Sequence, residues 1–188
     1  MFGSGISEVI ATTRGDKVNA APMGVVNRDF LYISMYKGSH TFANVKQNGK
    51  LVANLVLDPQ LYVKAAFDDL ESSCFDCFDG VPVLKAAYAW VEFTCAVFDE
   101  RAQKNAIVRL HPIRSRIIDR PIIPVNRGFN AVLEATIHAT RYNALREPKY
   151  LKLIDYYGSI VKRCGGKQEL HAFTLLTTYL AELDGDKG

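Results

Sequence analysis

Between Gly5 and Asp58 the chain reads strand, strand, strand, short helix, strand, and this order limits the fold more than any other feature. Ile6 to Thr13 is rich in β-branched residues and ends at Arg14-Gly15-Asp16, a turn signal. Lys17 to Val26 reads as a second strand, and Asn27-Arg28-Asp29 turns it into a third, Phe30 to Met35. Three such strands in succession predict an antiparallel meander. Pro22 interrupts the second strand. A proline donates nothing to a ladder, so its position is an edge, a bulge or a bend facing a ligand. Gly24 nearby permits close approach to the backbone.

The helix begins at a turn, Lys37-Gly38-Ser39-His40-Thr41. Ser39 is placed to cap a helix through Val45, and Gly49 to stop it. A helix N-terminus offers free N–H groups, and here two hydroxyls and a lysine stand beside them. Such a group is a ready phosphate site. An ordinary serine cap accounts for the same residues, and only the surrounding strands favour the phosphate. Leu51 to Leu57 then forms a strongly apolar strand, in which Asn54 needs hydrogen-bond partners. Asp58-Pro59 caps a further short helix carrying Leu61, Tyr62, Ala65 and Ala66.

Asp68 to Gly80 reads as an acidic, irregular loop. Val81 to Leu84 and Ala86 to Phe98 are predicted strands. In the second, Tyr88, Trp90, Glu92 and Thr94 alternate with Ala89, Val91 and Phe93. Asn105 to Ile118 is another strand, kinked at Pro112. Six or seven mostly antiparallel strands suit a small barrel. After Pro124 the period becomes helical. Three amphipathic helices follow, with breaks at Arg146-Glu147-Pro148 and Cys164-Gly165-Gly166. The expected division is a barrel domain at 1–124 and a helical subdomain at 125–188. The fold class is mainly β with α.

The 188 residues are 48% hydrophobic and 23% charged, and their formal net charge is +3. With no basic run, nucleic acid is excluded as the expected partner. No apolar stretch reaches transmembrane length, and Met1-Phe2-Gly3-Ser4-Gly5 lacks the parts of a signal peptide. The expectation is a cytoplasmic protein with no membrane partner. Cys74 and Cys77 have half the spacing of a zinc site but no second pair, so two free thiols and no metal are expected. Neither a Gly-x-Ser-x-Gly elbow nor a Walker loop is present.

The segments Asn19-Ala20-Ala21-Pro22-Met23-Gly24-Val25, Gly38-Ser39-His40-Thr41-Phe42-Ala43-Asn44-Val45 and Asn54-Leu55-Val56-Leu57-Asp58-Pro59 occur in an order that resembles the FMN-binding split-barrel superfamily. With Asn126-Arg127-Gly128 and Glu134 to Arg141 included, the chain is most similar to a largely archaeal family, domain of unknown function 447. The resemblance implies an FMN-binding split β-barrel with a C-terminal three-helix subdomain. It also implies a homodimer with FMN near the interface. Carried over by position, it assigns the phosphate to Lys37, Ser39, His40 and Thr41. It sets Ala21, Pro22, Met23, Gly24 and Val25 along the isoalloxazine ring, with Asn54 close by.

The reading of function is a flavin-reductase-like oxidoreductase with a nicotinamide or F420 electron donor. F420 or haem in the same groove, and a non-catalytic flavin-binding role, remain open alternatives. Glu134, His138 and Arg141 share one helix face by spacing, with Arg127 at its start. That face is either a polar cover for the flavin, with His138 as proton donor and an arginine holding an anion, or a solvated salt-bridged surface.

Overall fold

A computed structural model describes residues 2–185. The chain forms two compact units, Met1–Leu57 with Asp69–Pro121, and Asp58–Asp68 with Ile122–Gly188. Among the described residues, no helix is long and apolar enough to cross a membrane.

The first unit is a closed antiparallel barrel. Its strands are β1 (Gly5–Arg14), β2 (Val18–Asn27), β3 (Leu31–Tyr36), β4 (Lys50–Leu55), β7 (Ala89–Asp99) and β8 (Asn105–Ile117), in the order β1-β2-β3-β8-β7-β4. β4 closes the ring on β1, with Thr12 opposite Val52 and Ile10 opposite Asn54. Alternation sends Val9, Ile33, Met35, Leu51, Phe93 and Val108 inward, each at most 1% exposed. Helix α1 (His40–Asn48) adds Phe42 and Val45 to the same core. Full burial of a phenylalanine contributes about 2–3 kcal/mol. The helix therefore belongs to the barrel rather than to its surface. It runs one turn past the expected Val45, to Gly49 at φ 63°, whose N–H returns to the Val45 carbonyl.

Pairing around the ring is uneven. β2 pairs with β1 along its whole length, from Val18 opposite Arg14 to Asn27 opposite Gly5. It pairs with β3 only at Val26–Tyr32 and Asn27–Leu31. The other edge of β2, over residues 18–25, has no strand partner among the described residues, and the barrel is split there. Pro22 lies in this stretch, where a missing N–H costs no ladder bond. The kink expected at Pro112 is a bulge. Phe93 faces Pro112 and Glu92 faces Arg114, so Ile113 is the extra residue of β8.

The segment read as an irregular loop is ordered differently. A single helical turn at Ser72–Cys74 leads into β5 (Phe75–Phe78), which pairs with β6 (Val81–Leu84). Asp79 at φ 49° and Gly80 at φ 82° make the tight turn. Arg114 holds this tip through Asp79 Oδ2 at 3.0 Å and binds the buried Glu92 carboxylate at 2.6 Å.

The second unit consists of α2 (Pro59–Phe67), α3 (Arg127–Leu145), α4 (Lys149–Cys164) and α5 (Lys167–Gly185). Asp58 caps α2 by accepting from Gln60 N at 2.8 Å, with Pro59 at the first helical position. Val63 of α2 joins Val132, Ala135, Val161 and Leu176 in the core, and Phe67 stacks on Tyr179. Small residues let the backbones close in. A Cβ on Gly128 would fall 2.4 Å from the Cα of Gly165, and one on Gly158 would strike the Phe173 ring.

Candidate functional site

The split in the barrel places a free strand edge beside a helix N-terminus. Along the edge, Ala20 and Val25 are buried, while Ala21, Pro22, Met23 and Gly24 are half-buried. Their side chains are small or flexible, which leaves the backbone approachable. Gly24 has a further reason to be glycine. A Cβ there would meet Ile6 Cγ2 of β1 at 2.8 Å.

The α1 turn is built around Ser39. Its Oγ accepts from Phe42 N at 3.2 Å and donates to the Tyr36 carbonyl at 2.8 Å. Ala43 N reaches the Ser39 carbonyl at 3.1 Å. The N–H groups of His40 and Thr41 have no carbonyl partner among the described residues. No acidic residue stands in the first turn, so the positive end of the helix dipole lacks a side-chain complement within the helix. Tyr36 lies over Gly38, where a Cβ would come within 2.7 Å of its ring.

Thr41 ties the turn to the strand edge. It is 2% exposed, and its Oγ1 accepts from Asn19 Nδ2 at 2.9 Å. Asn44 Nδ2 donates to Thr13 Oγ1 at 3.1 Å, and Asn48 Nδ2 to the Arg14 carbonyl at 2.6 Å. One helix face is thus laced to the β1–β2 end of the barrel. Asn19 was not among the expected site residues. A polar residue two positions into an otherwise apolar strand is the signal that would have found it.

The expected residues do not all converge. Ser39, His40 and Thr41 sit at the helix start, and the Asn19–Thr41 bond draws the Ala21–Val25 edge toward them. The Lys37 ammonium is directed elsewhere, to the Glu100 carbonyl at 2.5 Å, while Lys37 N bonds the Lys104 carbonyl. Asn54 is fully buried in the barrel wall. Its Nδ2 donates to the Ile10 carbonyl at 2.9 Å and to Thr12 Oγ1 at 3.1 Å. Its Oδ1 accepts from Leu84 N at 2.9 Å. The amide is used in joining β4 to β1 and β6. A groove of about 450 Å³ lies along Thr12–Asp16, Gln47, Asn48 and the Asp79–Pro82 tip, and none of the expected residues lines it.

In the second unit the expected polar face is divided. Glu134 and Arg141 are exposed, but His138 is only 8% exposed. Its ring stacks against Tyr150 and Tyr157 at 6.0 and 5.6 Å, and Nδ1 has no hydrogen-bond partner among the described residues. Burial, with help from Arg141 and against Glu134, pushes the imidazole pKa down. A depressed pKa means that the unfolded chain takes up a proton the native state refuses. The stability from neutral His138 is therefore present above the ordinary imidazole value of about 6.5 and is lost as pH falls below it. Urea unfolding of the parent should weaken between pH 7 and 5.5. His138→Phe should flatten that decline, and an unchanged slope would remove His138 as its source.

Two family models match the chain. Both are described as a protein of unknown function (DUF447). The N-terminal domain model covers residues 7–119 and the second covers 126–178. An FMN-bound protein of Methanosarcina mazei assigned to DUF447 is 41% identical, over 94% of this chain and 96% of that one, with a TM-score of 0.88. The flavin reductase component of a bacterial two-component tryptophan halogenase is 18% identical over 63% of this chain and 82% of its own, with a TM-score of 0.47. An FMN-binding protein from Thermus thermophilus is 16% identical over 62% and 73%, with a TM-score of 0.46. Only the first of these likenesses bears on the site.

Proposed function

The chain belongs to the DUF447 family, and we propose that it is a flavoprotein that binds FMN where the open edge of β2 meets the start of α1. The observation that carries this reading is that junction, an unpaired strand edge of small residues beside a helix start with no acid in its first turn. The 41% identical, FMN-bound relative supports it.

The donor set fits the group. A phosphate needs N–H donors, and His40 N and Thr41 N supply them, beside the Ser39 hydroxyl, which would have to turn from the Tyr36 carbonyl to join them. Asn19 and Thr41 fix the turn to the strand. A flat ring needs a surface without bulky side chains, and Ala20, Ala21 and Gly24 leave one. When bound, FMN supplies hydride and electron transfer. The chain's own part is to hold the phosphate at the helix start, orient the ring along β2 and shield one face of it from water. In this reading the protein is an oxidoreductase of flavin-reductase type with a nicotinamide or F420 donor.

A homodimer belongs to the same proposal. Tyr36 and Phe98 are 58% and 56% exposed on the barrel surface near the turn, aromatic area that a second copy would cover. Sedimentation should show two chains per particle, and a monomer that retains FMN would remove this part.

The visible spectrum of the purified protein, with extraction of its chromophore, tests the cofactor. Oxidised FMN is expected. A haem or deazaflavin spectrum would replace it, and a colourless protein that takes up no added FMN would end the reading. Anaerobic bleaching by NADH, NADPH or reduced F420 then tests the enzyme, and no bleaching by any donor would leave a binding protein.

A further inference from the structure

An ion pair beside the start of α1 has no part in the site as described so far. Lys17 immediately precedes β2, two residues before the Asn19 amide that reaches Thr41. Its Nζ lies 2.5 Å from Asp69 Oδ2, and both side chains are largely exposed. His40, the first residue of α1, also acts on Asp69. Together with Lys17, whose contribution is larger, it holds that carboxyl below its usual range. The Asp69 carboxylate thus pairs with Lys17 and lies within reach of His40.

Two other lysines near this turn are drawn to Glu100. Lys37 is bound to the Glu100 carbonyl, and Lys46 pairs with Glu100 at 3.3 Å. Arg14 lies at the opposite end of α1, where Asn48 holds its carbonyl. A phosphate at the turn calls for a mobile cation, and Lys17 is tied to its partner by an exposed ion pair. Such a pair is weak and readily exchanged. A phosphate monoester carries more charge than a carboxylate and three acceptor oxygens, so it competes well for one ammonium.

We propose that Lys17 is a phosphate-recognition residue of the FMN site and that Asp69 is its resting counter-ion, which the phosphate displaces on binding. This rests on the FMN reading above. It makes Lys17 a determinant of preference for phosphorylated flavin over riboflavin, and Asp69 a built-in competitor that lowers affinity.

The test is a fluorescence titration of FMN-stripped protein with FMN and with riboflavin. Lys17→Met should weaken FMN about 5–10-fold and leave riboflavin within about twofold, a loss suited to one partly exposed charge-assisted contact. Lys17→Arg should keep most of the FMN affinity. Asp69→Asn should tighten FMN by about 2–5-fold, since the competitor is gone while the cation stays. Parental FMN affinity in Lys17→Met would overturn the proposal. So would an equal loss for riboflavin, or an Asp69→Asn variant that binds FMN more weakly than the parent. A parent that binds neither flavin would instead sink the FMN reading and this proposal with it.

Discussion

Asn54→Leu should lower the unfolding free energy by about 3 kcal/mol, mostly through polar groups left behind in a dry wall. Leucine has the branching of the amide and is somewhat bulkier, so no cavity is left. The cost lies in three groups that lose a partner, of which Thr12 keeps its own bond to the Pro82 carbonyl. Leu84 N loses its acceptor, and the Ile10 carbonyl and Thr12 Oγ1 lose a donor. Each lies at the junction of β1, β4 and β6, where water does not reach Asn54. The midpoint of urea unfolding measures the effect. A loss under about 1 kcal/mol would mean that the amide is not the tie described here. FMN affinity measured in the folded fraction should stay near the parental value, because Asn54 does not reach the α1 turn.

Ser39→Asp should abolish most FMN binding and leave the fold intact. Aspartate is as good an N-cap as serine and can still accept from Phe42 N, so α1 keeps its start. The new carboxylate occupies the place where the phosphate is proposed to sit and takes up the positive end of the helix. Two like charges about 4 Å apart at a partly exposed site repel by a few kcal/mol. A loss of roughly 100-fold in FMN affinity is therefore expected. Riboflavin, which has no phosphate, should be far less affected. Parental FMN affinity in this variant would move the phosphate away from α1.

The parts of the fold that were legible in the sequence are those fixed by local chemistry. Ser39, Gly49 and the Asp58-Pro59 pair mark helix ends because capping is decided within a few residues. Val91 and Phe93 face the core because alternation has a period of two. The β5–β6 hairpin was obscured because Phe75-Asp76-Cys77-Phe78 is short and lies in acidic surroundings. Its Asp79-Gly80 turn signal was there to be read. Pro22 marked a possible edge in β2, but the extent of the split between β2 and β3 could not be read, since which strand pairs where is a property of the closed ring. The same holds for the site. The Ser39–Thr41 turn was visible from its residue types. The outward commitment of Lys37 to Glu100, the burial of His138 between two tyrosines and the use of Asn54 inside the wall all depend on residues distant in sequence. Lys17 gave no signal, because a lysine in a surface turn is ordinary until Asp69 and His40 are seen beside it.

The central claim is that the junction of β2 and α1 is a flavin site with its phosphate end at the helix start. Calorimetric titration of the FMN-stripped protein with FMN tests it most directly. The account predicts saturable binding of one FMN per chain, with riboflavin clearly weaker because the phosphate contacts are missing. No saturable heat with FMN, or equal affinity for FMN and riboflavin, would contradict it.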